Sequence, residues 1–209
     1  MLQVEFFFDF SCPWSYLACA RLREAAMRTG AVIAWKPFAL IDLDAAQGRR
    51  EGRLAADAAV ADWQLQDLQA WAHYCNLPLH LPSDWPQAAD AALRGAVFAA
   101  QAGAAEAFVP GTFRALYADG QNLADPAVLG RIAAEAGLEP AAFDKALHDD
   151  AGAAALQRNV AELQSRGGFR SATLFVGQQM FCGSSRLPLV EFALAQASDR
   201  QFVMPGQHG

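Results

Sequence analysis

Basic residues are scarce and scattered in this chain: 16 Lys and Arg stand against 22 Asp and Glu, a formal charge of −6. Phosphate binding needs clustered cations. The one dense basic stretch, Arg49, Arg50 and Arg53, is interrupted by Glu51, so no nucleic-acid partner is expected. Long apolar runs are absent too; none approaches the ~18 residues of a membrane-spanning helix, so no membrane partner is expected either. The opening Met1-Leu2-Gln3-Val4-Glu5 lacks a basic n-region and a small-residue cleavage site, which predicts a cytoplasmic protein. Cysteines are few, Cys12, Cys19, Cys75 and Cys182, and irregularly spaced. In a reducing compartment they read as free thiols, which excludes a disulfide framework. No internal repeat is visible. What the chain has in quantity is apolar side chains, 54% of 209 residues with 14 Phe and 5 Trp. That suffices for one domain, or one domain carrying a large insertion, and excludes disorder over most of the length.

The pattern predicts an α/β fold. Residues 2–8 form a buried strand ending at Asp9. Pro13 suits a first helical turn, and a helix from Trp14 to Thr29 closes at Gly30, a residue suited to a left-handed cap. Ala31 to Leu40 reads as a second strand, with Pro37 marking its end or a sheet edge. From about 54 to 166 the pattern is helical and rich in alanine, with Trp63, Leu65, Leu68 and Trp71 on one apolar face. Pro86, Pro126 and Pro140 each precede an alanine-rich stretch, and Asp125-Pro126 reads as an N-cap followed by N1. Strands return at Ala172–Val176 and Met180–Phe181. A last helix spans about 187–198, with Leu189, Val190, Phe192 and Leu194 as core candidates, and 199–209 reads as a tail. Strand-helix-strand, a helical insert, then strand-strand-helix permits few sheets other than one with a right-handed parallel crossover.

Cys12 falls at the N-cap of the first helix. Unpaired N–H groups and the helix dipole favour an anion there, so a thiolate pKa below the ~8.5 of free cysteine is expected. Ser15, one turn on, is placed to donate to that sulfur. The alternative, a small buried hydrophobe, stays open for Cys12 and more so for Cys182. Cys19 lies roughly 10 Å along the same helix, beyond disulfide reach, and reads as core. His73 and Cys75 lack further spaced ligands, so no metal site is expected.

The segment Phe8-Asp9-Phe10-Ser11-Cys12-Pro13-Trp14-Ser15-Tyr16-Leu17-Ala18 resembles the opening of the DsbA-like group of the thioredoxin superfamily. Within that group it is most similar to 2-hydroxychromene-2-carboxylate isomerases and kappa-class glutathione transferases. Phe169–Gly177, Phe181–Leu187 and Asp67–Ala72 continuing to Leu77-Pro78 resemble the same branch. The resemblance implies a thioredoxin-like βαβ…ββα sheet (1–53 and 167–209) interrupted by an all-helical insertion (54–166). It further implies glutathione bound at the first helix and a homodimer. In the isomerase and kappa branch a serine occupies the place of Cys12 and faces the glutathione sulfur; the redox branch has a Cys-x-x-Cys pair. Here Ser15 fills the resolving position, so a two-cysteine cycle confined to this motif is excluded.

The same resemblance makes Pro13, Trp14, Arg49, Ser171, Ala172, Ser184, Ser185 and Arg186 candidates for holding glutathione. Three of these depart from the family. Ala172 replaces a cis-proline, and since a cis bond before a non-proline residue costs ~2.5–4 kcal/mol, a trans bond, or a strained cis one, is expected. Ser185 replaces an acid and forfeits a charge-assisted bond. Arg49 stands at an asparagine position and suits a glutathione carboxylate.

The leading expectation is a glutathione-dependent isomerase or transferase acting on a small aromatic or unsaturated compound, with Cys12 and Ser15 catalytic. Trp14, Trp35 and Trp63 are candidate apolar walls, with core packing the default for each. The rivals are a monothiol thiol-disulfide oxidoreductase using Cys12, resolved by a second glutathione or by Cys182, and a glutathione-binding module without catalysis.

Overall fold

A computed structural model describes residues 1–48, 57–83, 85–86 and 89–198. Strand β1 (Gln3–Phe8) leads into helix α1 (Pro13–Thr29), which returns the chain to β2 (Val32–Pro37). Pro13 occupies the first turn of α1, and Gly30, at φ 70°, ends it by donating its N–H to the Ala26 carbonyl. The helices α2 (Leu40–Gln47), α3 (Ala58–Tyr74), α4 (Asp90–Gln101), α5 (Ala105–Tyr117), α6 (Pro126–Glu135), α7 (Pro140–His148) and α8 (Asp150–Ser165) follow. The chain then forms β3 (Thr173–Val176), β4 (Gln179–Cys182), a 3₁₀ turn (Ser184–Arg186) and α9 (Leu187–Ala197).

The strands form one sheet in the order β2-β1-β3-β4. β1 and β2 are parallel across the α1 crossover, while β3 and β4 are antiparallel additions. β2 is therefore an edge, where the missing N–H of Pro37 leaves no ladder bond unmade. Alternation along β1 sorts its side chains between two buried faces. Phe6 and Phe8 join Leu174, Leu17, Leu22 and Phe113 on one side. Phe7 joins Phe175, Phe38, Leu40, Leu43, Val160 and Leu163 on the other. Burial of both faces at the end of β1 explains the unbroken Phe6-Phe7-Phe8 run.

The alanine-rich helices pack by close approach: a Cβ on Gly95 of α4 would sit 3.0 Å from the rings of Phe108 and Phe143. Asp125 caps α6 through the Ala127 N–H, with Pro126 at N1, as its sequence predicts. Other expectations are corrected. Trp63 is 62% exposed, because α3 buries only Leu68 and Ala72. Leu189 and Phe192 face outward on α9 while Val190 and Leu194 pack inward. Pro86 does precede an alanine-rich helix as expected, from a loop ahead of α4, which begins at Asp90. α2, which the sequence reading lacks, starts without a side-chain cap of its own. Arg49 and the segment 199–209 lie outside the described residues. Among those described, no helix is long and apolar enough to cross a membrane, and no group of His, Cys, Asp or Glu is placed to hold a metal ion.

Candidate active site

Where β1 runs out, four residues turn the chain into α1, and nearly every polar group in that turn has a named partner. The Asp9 carboxyl, 4% exposed, accepts the Ser11 N–H through Oδ1 at 2.7 Å and the Leu40 N–H through Oδ2 at 2.6 Å. It thus supplies from a distance the cap that α2 lacks. The Asp9 N–H donates to Ser171 Oγ at 3.0 Å, and the Cys12 N–H donates to the Asp9 carbonyl at 3.2 Å. Two aromatic residues reach in from the helical segment: Tyr117 Oη donates to the Phe10 carbonyl at 2.9 Å and Trp85 Nε1 to the Ser11 carbonyl at 2.8 Å. The turn is therefore fixed by α2, α5, the loop at Trp85 and the residues preceding β3.

Cys12 is the N-cap of α1, as predicted. The residue is 3% exposed and belongs to the apolar cluster of Phe7, Phe38, Leu40, Leu43, Val160, Leu163 and Phe175, with Trp14 packed against it. The S–H donates to the Ser171 carbonyl at 3.5 Å. Ser15 Oγ, fully buried, lies 2.6 Å from Ser171 Oγ. Burial raises the Cys12 pKa from its ordinary value, and the Asp9 charge raises it further. The Ser15 N–H and hydroxyl pull it down without overcoming the burial. The expected lowering is corrected: the helix terminus is present, but desolvation of a thiolate costs more than that terminus returns.

The Ser171–Ala172 peptide is cis, the second of the two geometries anticipated. The Ala172 carbonyl accepts the Gly183 N–H at 2.9 Å, which docks the Gly183–Arg186 segment beside the Cys12 turn. Arg21 Nη1 ties the same segment to α1 by donating to the Ser184 carbonyl at 3.2 Å. Ser184 is buried and its hydroxyl has no partner, whereas Ser185 and Arg186 are exposed.

The structure thus gathers Cys12, Pro13, Trp14, Ser15, Ser171, Ala172 and Ser184 to Arg186 at one end of the sheet. The sulfur of Cys182 contacts Thr173 Oγ1 at 3.6 Å, and all four cysteines are free. Burial pushes the Cys19 thiol far up, consistent with a core role. Sequence reasoning missed Asp9, Trp85 and Tyr117 as site-building residues. An acid closing an otherwise apolar strand was the available signal for Asp9; nothing local marked the other two.

Residues 3–195 match the family of the DSBA-like thioredoxin domain. The 2-hydroxychromene-2-carboxylate isomerase of Sphingobium xenophagum is 30% identical over 193 residues, covering 90% of this chain and 95% of the relative. The isomerase of the same description from Pseudomonas putida is 27% identical over 194 residues, covering 92% and 94%. A solved 2-hydroxychromene-2-carboxylate isomerase superposes with a TM-score of 0.84 at 27% identity, over 95% of this chain and 98% of the other. The cytosolic disulfide reductase DsbM from Pseudomonas aeruginosa, with a TM-score of 0.67 at 17% identity over 95% and 98%, shares the fold.

Proposed function

The chain belongs to the DsbA-like thioredoxin family, and from that premise we propose that it is a glutathione-dependent isomerase of small unsaturated aromatic compounds, of the 2-hydroxychromene-2-carboxylate kind. The enzyme class is supported by relatives of that description along nearly the whole chain. The observation that carries the reading is Cys12 held as a buried S–H donor at the start of α1.

Two residues of the Gly183–Arg186 segment suit a peptide ligand such as glutathione. The Ser184 hydroxyl is buried without a partner, a state that calls for an explanation such as a ligand. Arg186, exposed two residues further on, suits a carboxylate. Glutathione, when bound, supplies a thiol that adds reversibly to a conjugated double bond, so that the bond rotates as a single bond and is restored on elimination. Cys12 keeps its proton at neutral pH and turns it toward the bound sulfur, as a serine hydroxyl would. Its present acceptor is the Ser171 carbonyl at 3.5 Å; an S–H is a weak donor, so that bond is given up at little cost. Ser15 and Ser171 fix the wall behind Cys12 through their 2.6 Å contact, and the apolar cluster around the sulfur keeps water from the hydrogen bond.

The monothiol alternative needs Cys12 as a thiolate, which burial and the Asp9 charge both oppose. The test is the rate of 2-hydroxychromene-2-carboxylate isomerisation, followed by its ultraviolet spectrum, as glutathione is titrated, with calorimetry on the same samples. Saturable activity tracking glutathione binding is expected. Absence of binding, or a glutathione-independent rate, would overturn the proposal.

A further inference from the structure

We propose that Arg21 is a positioning residue that sets how firmly the Gly183–Arg186 segment holds glutathione, acting through the Ser184 carbonyl. The inference rests on the glutathione reading above and adds what keeps that segment in place. Arg21 stands nine residues beyond Cys12 on α1, roughly 13 Å at 1.5 Å per residue, too far for its side chain to touch the sulfur. Its Nη1 donates to the Ser184 carbonyl at 3.2 Å, and among the described residues this is the one side-chain hydrogen bond made to residues 183–187. The remaining bonds of the segment are from backbone to backbone. The Gly183 N–H donates to the Ala172 carbonyl at 2.9 Å and the Arg186 N–H to the Gly183 carbonyl at 3.1 Å, while the Leu187 N–H donates to the Ser184 carbonyl. Leu187 anchors the far end by burial. Gly183, at φ 92°, brings no side chain to the packing, which leaves Arg21 as the polar tie between the segment and α1.

The guanidinium is held from its other side by α3. Its carbon lies 5.7 Å from the centre of the Trp71 ring and 5.8 Å from that of Tyr74, and the two rings meet edge to face at 5.6 Å and 85°. Among the described residues no carboxylate pairs with Arg21. An aromatic cup attracts the cation without occupying its N–H groups, whereas an acid would compete for them. Trp71, Arg21 and Ser184 thus form a chain from the helical segment to the glutathione segment. Without Arg21 the Ser184 carbonyl keeps only the Leu187 N–H, a bond internal to its own turn. The unpartnered Ser184 hydroxyl and Arg186 two residues on then lose their fixed placement against α1.

The experiment measures glutathione binding by calorimetry, and kcat and KM for glutathione in isomerisation, in the wild type, Arg21→Met, Arg21→Lys, Trp71→Leu and the Arg21→Met/Trp71→Leu double variant. Arg21→Met should weaken binding and raise KM about tenfold, the scale of one hydrogen bond from a charged group. At saturating glutathione its kcat should stay within ~twofold of wild type. Arg21→Lys keeps the charge and a donor and should recover part of the loss. Trp71→Leu should weaken binding about threefold, and adding it to Arg21→Met should change nothing further. General loosening of the fold would instead lower kcat and the thermal midpoint, with no recovery by lysine. Binding by Arg21→Met within ~twofold of wild type, a lysine variant as weak as the methionine one, or losses that multiply in the double variant overturns the proposal. If Arg21→Met loses its native circular dichroism, Trp71→Leu decides, and unchanged affinity there overturns the proposal. A wild type that binds no glutathione overturns the isomerase reading and this inference together. A wild type and Arg21→Met that bind equally well overturn this inference alone.

Discussion

Ser15 and Ser171 form the one hydroxyl pair behind Cys12, and removing them singly and together tests whether that pair is built as described. Ser171 Oγ has two partners, the Asp9 N–H at 3.0 Å and Ser15 Oγ at 2.6 Å. Ser171→Ala therefore strands two buried polar groups, and at roughly 1–3 kcal/mol for each stranded group a loss of about 2–6 kcal/mol is expected. Ser15→Ala leaves Ser171 its bond to Asp9, so about 1 kcal/mol is expected. In the Ser171→Ala background the Ser15 hydroxyl already lacks its partner. Its removal there should be neutral or stabilising, which gives a coupling of about 1–2 kcal/mol. Urea unfolding of the four proteins, followed by circular dichroism, measures all three values. If Ser15→Ala costs as much as Ser171→Ala, or the two losses add within ~0.3 kcal/mol, the hydroxyl pair is not part of the buried framework.

Alkaline titration should destabilise the fold. Burial raises the pKa values of Cys12, Cys19 and Tyr117 above their ordinary values of 9.0 for the thiols and 10.0 for the phenol. The unfolded chain then releases these protons first, and stability that is fully present below pH 9 is lost as pH rises beyond it. A urea midpoint unchanged between pH 7.5 and 10.5, with Cys12→Ser no more resistant than wild type, would contradict this. Gly168→Ala should cost about 1–3 kcal/mol, since its Cβ would lie 2.1 Å from Leu163 Cδ1 and 2.8 Å from the Leu163 carbonyl oxygen. A thermal midpoint within a degree of wild type would show that the turn before Ser171 is looser than described.

Much of the sheet was legible because its strands carry their own signals. The Leu2–Phe8 run, Pro13 at a first turn, Gly30 at a left-handed cap and Pro37 at an edge are each local rules, and the structure obeys them. What failed was whatever depended on distant partners. Trp63 looked like core because its helix is amphipathic, yet α3 meets the rest of the protein mainly through Leu68 and Ala72. α2 was invisible because its N-terminal cap is Asp9, 31 positions away in sequence. The location of Cys12 was readable from Cys-Pro at the end of a strand. Its protonation was not, because the apolar cluster that desolvates it draws on Phe38, Leu43, Val160, Leu163 and Phe175, and no local motif announces that convergence.

The central claim is that the Cys12 sulfhydryl gives a hydrogen bond and never attacks. The measurement that meets it most directly is kcat for glutathione-supported isomerisation in the wild type, Cys12→Ser and Cys12→Ala. A hydroxyl can replace a donating thiol and a methyl group cannot, so Cys12→Ser should keep kcat within about tenfold of wild type while Cys12→Ala falls by roughly a hundredfold or more. Equal loss in both variants, together with a wild-type mass adduct of glutathione at Cys12 during turnover, would contradict the account.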